Sequence, residues 1–371
     1  FSEEGVQEVS NGSFSQEGVE LVTNGDFANG NTAWGMQASW SIANGSANFD
    51  GLASHYIQQS NVFAANTNYK LTFTISNNTS GIISIRDGAA AVLVPNTNYS
   101  NGTYTFYITS TANTSLKIFG VGGSGSLSID NVSVREVGQD WTLRPGWSIA
   151  EDKAVANTIG NANLFQTSAI TSGKIYKATF EVLDYQSGDV RINLGGAGLT
   201  GVGNIYSANG VYTQYITSDG VDVYMQGRSS FIGSITNISV KEVGMDWILD
   251  ANWSIAEDKA VSDGTNGFIR TSTNVFEIGK TYKVGITVSN MTTGQVSYPY
   301  DGSGYTLITT NGDFSQIYTP DDTNRCWIYG RNGFDGSITN ISIIEITTDT
   351  NLPRISYENF SYQDALGSEL V

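Results

Sequence analysis

Hydrophobic and polar residues alternate in short runs along most of this chain. Tyr69–Ile75 reads Tyr-Lys-Leu-Thr-Phe-Thr-Ile, setting Tyr69, Leu71, Phe73 and Ile75 on one side and Lys70, Thr72 and Thr74 on the other. A period of two belongs to a strand with one buried face. Tyr104–Ile108, Tyr176–Val182, Tyr212–Ile216 and Tyr282–Val288 repeat the trend less cleanly. Asn-Gly, Ser-Gly and Asp-Gly pairs, the residues of tight turns, separate the runs. No segment holds an apolar stripe at the 3.6-residue period of a helix. The pattern predicts an all-β chain of antiparallel sandwiches of the jelly-roll kind.

Landmarks recur at long intervals. Trp-Ser-Ile-Ala begins at Trp40, Trp147 and Trp253, spaced by 107 and 106 residues. The pairs Tyr69-Lys70, Tyr176-Lys177 and Tyr282-Lys283 keep the same spacing, as do the glycines Gly81, Gly188 and Gly294, where each strand is expected to break. Three related strands close the units, around 127–138, 234–244 and 337–347. Four landmarks in register mean tandem duplication, and the period is too long for a solenoid. The expected domains are 20–138, 139–244 and 245–346.

A shorter repeat precedes them. Phe1, Phe14 and Phe27 lie 13 residues apart, and each copy carries a strand-like run, Val6–Val9 or Val19–Val22, closed by Asn-Gly. Thirteen residues cannot bury a core alone, so residues 1–19 form a β linker whose apolar face needs the next domain or a neighbouring chain. Residues 347–371 read as a linker into a further module, because Gly367–Val371 (GSELV) echoes EGVELV at 17–22. A chain that begins and ends inside repeat motifs, without an initiator methionine, is expected to be a segment of a longer polypeptide.

Composition narrows the function. The 18 Lys+Arg against 35 Asp+Glu give a formal charge of −17, which disfavours nucleic acid and anionic membrane as partners. No apolar run approaches the ~18 residues that span a bilayer. The single histidine, His55, cannot build a triad or a multi-histidine metal site. Cys326, the only cysteine, lies on an alternating run and reads as a small buried hydrophobe. Glu151-Asp152 and Glu257-Asp258 read as solvated turns. Nothing in the pattern supplies a catalytic grouping, so a non-enzymatic role is expected.

The start Leu21-Val22-Thr23-Asn24-Gly25-Asp26-Phe27, the tryptophans Trp34 and Trp40, and the end Ile129-Asp130-Asn131-Val132-Ser133-Val134 resemble galactose-binding-like jelly rolls of the carbohydrate-binding-module type. The 13-residue linkers together with the Trp-Ser-Ile-Ala units also resemble bacteriophage virion fibre and appendage proteins. The first resemblance implies a structural calcium tying the first strand to the last, with Asp26 and Asp130 as donors in domain 1 alone. Domains 2 and 3 carry Thr236 and Thr339 in place of the aspartate. The second implies a structural protein on the virion surface, self-associating as a homotrimer or other homo-oligomer, with virion proteins and host glycans as partners. The alternative is a secreted bacterial carbohydrate-binding or adhesin array, possibly appended to a polysaccharide-active enzyme.

The tryptophans, paired six apart in every unit, are expected in the core, since a shared fold needs shared core positions. Residues that vary between units are better candidates for recognition. Arg228 with Phe231, and Arg331 with Phe334, follow matching glycines in the second and third units; an arginine beside an aromatic can grip a saccharide or a neighbouring subunit.

Overall fold

A computed structural model describes residues 1–111, 115–157, 161–196, 201–300, 305–321 and 324–347, together with the backbone of Leu366–Glu369. Most of the expected C-terminal linker lies outside the described residues. Among them, every helix or strand assigned is a strand, so the chain is all-β as its pattern predicts.

In the first unit the strand Asn68–Ser76 alternates buried and half-buried positions along its whole length. It lies between Gly102–Thr109 and Leu127–Val137, all antiparallel. A second sheet, built on Leu116–Gly120 with His55–Gln59 and Ile83–Arg86 on either side, faces the first. Leu71, Phe73, Ile75, Ile57, Ile85 and Ile118 fill the space between them, all essentially inaccessible. Each such side chain stabilises the sandwich by about 1.5–3 kcal/mol.

The second and third units use longer strands. Ile175–Leu194 and Val223–Val243 run through both layers of the second unit, as do Tyr282–Tyr298 and Trp327–Ile346 in the third. Gly188 and Gly294 do not break the chain here. They sit at φ 76° and 78° beside register shifts, and a Cβ would come within 2.4 Å of Phe231 N and 2.2 Å of Phe334 N respectively. A glycine bulge thus bends one continuous strand from layer to layer. Only in the first unit does the strand stop outright, at Ser76, to resume at Ile83.

The 13-residue repeats dock in crossed order. Glu4–Gln7 adds an edge strand to the second unit, with Glu4 opposite Val243 and Gln7 opposite Lys241. Glu17–Glu20 adds one to the first, with Glu17 opposite Val137 and Glu20 opposite Arg135. Their glutamates meet cations on the receiving sheet: Glu4 contacts Lys177 and Lys241 at 2.8 Å each, and Glu17 contacts Lys70 at 2.6 Å. Both repeats then plug a groove in the same way. Thr23 N–H donates to Gln59 Oε1 at 2.8 Å, and Ser10 N–H to Gln166 Oε1 at 3.1 Å. The indole N–H of Trp34 donates to Asn24 O, and that of Trp141 to Asn11 O. Gly25 O and Gly12 O accept from Val132 N–H and Ile238 N–H, both at 2.9 Å. Glycine is required at both positions, because a Cβ would stand 1.9 Å from Val132 O or 2.0 Å from Ile238 O. The plug ends on a fully buried phenylalanine, Phe27 against Trp34 or Phe14 against Trp141. Phe1 makes the corresponding ring contact, 5.3 Å from Trp247 of the third unit. The repeats' apolar demand is therefore met within the chain, while Val6 and Val19 face outward at 77% exposure each.

Candidate functional site

Residues that alternate with the core on the second layer of each unit point out of the sandwich. In all three units they bring cations over aromatic rings. In the first, Tyr56 lies opposite Phe119 and Lys117 opposite Arg86 in the ladder. Lys117 Nζ sits 5.1 Å from the Tyr56 ring centre and Arg86 Cζ 3.9 Å from that of Phe119. The second unit stacks Phe165 on Tyr224 at 5.1 Å, with Arg144 Cζ 5.6 Å from Phe165. Tyr224 OH donates to Asp222, and burial, followed by that hydrogen bond, pushes its pKa up.

The third unit carries the largest group. Arg270 Cζ lies 4.8 Å from the Trp327 ring, and Phe268 meets the same ring at 4.6 Å. Along the same strand Arg331 is surrounded by Tyr300, Tyr305 and Tyr329, with Cζ 5.0, 4.5 and 5.1 Å from their centres. Its Nη1 donates to Tyr305 OH at 3.2 Å, and Tyr305 is 42% exposed. Each cation–ring contact contributes about 0.5–1 kcal/mol at an exposed site and holds the long side chain in place. The result is a partly exposed face of flat rings, hydroxyls and fixed guanidinium groups. Such a face can stack the C–H side of a sugar ring and hydrogen-bond its hydroxyls.

The arginines singled out in the sequence fall on or beside this face, and their aromatic partners do not. Arg228 lies 3.5 Å from Asp189, and Arg191 beside it donates to Gln226. Burial and the neighbouring Arg228 lower the pKa of Arg191. Phe231 and Phe334, by contrast, are fully buried against Trp147 and Trp253. The expected Arg–Phe grip is thus corrected: the residues after Gly227 and Gly330 turn back into the core, and the rings available to Arg331 are three tyrosines. Of these, Tyr329 lies on the alternating run that holds Cys326, as does Trp327, the ring beneath Arg270. Tyr300 and Tyr305 both follow the partner strand Tyr282–Tyr298, a placement that spacing alone does not reveal.

The other candidates settle into structural places. Trp34, Trp40, Trp141, Trp147 and Trp253 are buried, and Trp247 is half-buried. Asp26 Oδ1 accepts the Ala28 N–H at 3.2 Å and Asp130 Oδ1 the Asn131 N–H at 2.6 Å. Each carboxylate closes a local turn, and among the described residues no group of three or more His, Cys, Asp or Glu side chains gathers. Calcium takes six to eight oxygens, so main-chain carbonyls would have to supply most of a shell around this pair. His55 Nδ1 meets Ser39 Oγ at 3.2 Å and the Ser39 amide at 3.3 Å. Cys326 is fully buried, which pushes its thiol up to about 12. Glu151-Asp152 and Glu257-Asp258 form turns with positive φ, and Asp258 accepts from Tyr215 OH of the preceding unit at 2.9 Å.

No family model matches the chain, and no curated protein does. Among solved structures it is similar to the tandem CBM22-1–CBM22-2 domain of Paenibacillus barcinonensis Xyn10C, at 10% identity and TM-score 0.27 over 62% of this chain and 99% of that one. It is also similar to the tandem CBM51 modules of a family 98 glycoside hydrolase from Streptococcus pneumoniae, at 7% identity and TM-score 0.22 over 65% and 96%. A triple jelly-roll protein of an archaeal virus turret assembly matches at 14% identity and TM-score 0.20 over 84% and 89%. Scores this low add nothing to what the sheets themselves show.

Proposed function

We propose that the chain is a non-enzymatic display protein whose three sandwiches present cation–aromatic faces to glycans. The observation that carries this reading is the recurrence of those faces on the same layer of each unit, although their residues differ from unit to unit. Shared placement argues for a shared use, and differing residues argue for differing specificity. The N-terminal tract supports the same reading, because it ties the units into one piece. As the finer form, we propose a fibre or appendage of a bacteriophage particle, assembled as a homotrimer on the virion surface and contacting other virion proteins. The second reading, a secreted carbohydrate-binding array, shares the faces and differs only in being monomeric.

A glycan array probed with the full chain, beside Trp327→Ala and Arg331→Ala, tests the binding claim. We expect binding that weakens at least tenfold in either variant. Light scattering on the same samples separates the two readings, a trimer favouring the fibre and a monomer the secreted array. A chain that binds no glycan overturns the proposal.

A further inference from the structure

The third unit carries a groove that the plugged grooves of the other two explain. Trp247 and Ile341 stand where Trp34 and Val132 stand in the first unit and where Trp141 and Ile238 stand in the second. Between them lies a cavity of about 270 Å³, lined by Gly244, Met245, Asp246, Trp247, Thr339 and Ile341, with Phe1 at its mouth. In the first two units this space holds Thr23-Asn24-Gly25 or Ser10-Asn11-Gly12, whose carbonyls accept the indole N–H and the Val132 or Ile238 amide. Phe1 already packs on Trp247 as Phe14 and Phe27 pack on theirs.

The sheet edge beside the groove is prepared for the same strand. Leu366–Glu369 pairs with it, placing Leu366 opposite Ile346 and Glu369 opposite Ile344. That register matches those of Glu17–Glu20 and Glu4–Gln7 in the other units. Lys283 occupies the position from which Lys70 and Lys177 grip Glu17 and Glu4, and among the described residues it makes no ion pair. Leu366 holds the register place of those glutamates.

We propose that this groove is a docking site for an extended peptide of the 13-residue type, reading Glu-Gly-Val-x-x-Val-(Ser/Thr)-Asn-Gly-x and running directly into Phe1. The glutamate pairs with Lys283, and the central run adds an edge strand to Trp327–Ile346 in place of Leu366–Glu369. The Asn-Gly carbonyls then accept the Trp247 indole and the Ile341 amide. Glycine is required after the asparagine, because the equivalent Cβ strikes a carbonyl oxygen in both other units. Thr271 replaces Gln59 and Gln166, so this site forgoes the side-chain clamp on the Ser/Thr residue and leans on the strand and the ion pair.

The test joins Glu-Gly-Val-Glu-Leu-Val-Thr-Asn-Gly-Asp, the order of residues 17–26, ahead of Phe1 of the full chain. Tethering supplies a high effective concentration, so weak intrinsic affinity does not hide the contact. Hydrogen exchange is read at Ile341, at the Trp247 indole and across 366–369. We expect Ile341 and the indole to slow at least tenfold and 366–369 to speed up. Replacing the glycine of Asn-Gly by valine in the extension should abolish both changes. Lys283→Ala should weaken the protection while leaving the fold intact. Equal exchange with and without the extension, or equal protection from the valine form, overturns the proposal.

Discussion

Phe14→Ala separates the observed docking order from the order of the sequence. Residue 14 is a few positions from the first unit and more than a hundred from most of the second. Its ring is nevertheless fully buried in the core of the second unit, 5.4 Å from Trp141. Truncating a buried phenylalanine costs about 3–5 kcal/mol, the transfer term plus the cavity. At about 1.4 kcal/mol per decade, that cost speeds exchange through global opening of the second unit by roughly two to three and a half decades. In calorimetry it lowers that unit's melting temperature by roughly 12–20 °C, at about 4 °C per kcal/mol for a unit of this size. Exchange mass spectrometry reports each unit separately, and Phe27→Ala serves as the mirror control, loosening the first unit. If Phe14→Ala loosens the first unit, or the second by less than one decade, the crossed docking is wrong.

Gly25→Ala should destabilise the first unit by about 1–3 kcal/mol, because its methyl would overlap Val132 O; urea melts followed at Trp34 and Trp40 read this. Hydrogen bonds from Lys177 and then Lys241 lower the Glu4 carboxyl to about 2 from its ordinary 4.5. Its contribution is therefore full above about pH 4.5 and fades as pH falls toward 2. Exchange of the Glu4–Gln7 strand should accelerate over that window in the parent and not in Glu4→Gln, with an effect under about 1 kcal/mol for so exposed a pair. Chelation with EDTA should leave the first unit's melting temperature unchanged, since Asp26 and Asp130 are held by backbone amides; a fall of several degrees would mean that carbonyls complete a calcium shell.

The period-two runs made the sheets legible, because a strand with one buried face must alternate whatever its neighbours are. The tryptophan pairs were legible for a related reason, since they recur where every unit needs the same bulk. Gly188 misled as a break, because a glycine that ends a strand and one that bends it look alike in sequence; only Phe231 N, 2.4 Å from its missing Cβ, distinguishes them. The Asn-Gly pairs read as hairpin turns, and Asn11 and Asn24 do adopt positive φ of 46° and 55°. Their carbonyls instead serve indoles, Trp141 standing far along the chain from Asn11. Nothing local records that pairing, although the match between repeat glutamates and the lysine of each Tyr-Lys pair is a signal that charge pattern could have raised. The tyrosines around Arg331 escaped because two of the three, Tyr300 and Tyr305, lie in the segment that follows another strand, Tyr282–Tyr298.

The crossed docking also has a consequence for biosynthesis. Glu4–Gln7 is made well before its partner residues, Lys241 and Val243, which come roughly 240 residues later. At about 5–20 residues per second, the ribosome leaves that tract without its berth for roughly 12–50 s. The glutamates at positions 3, 4 and 8 keep a valine-bearing segment from sticking to its neighbours on the polysome during this wait. The same carboxylate that later locks the strand home guards it beforehand.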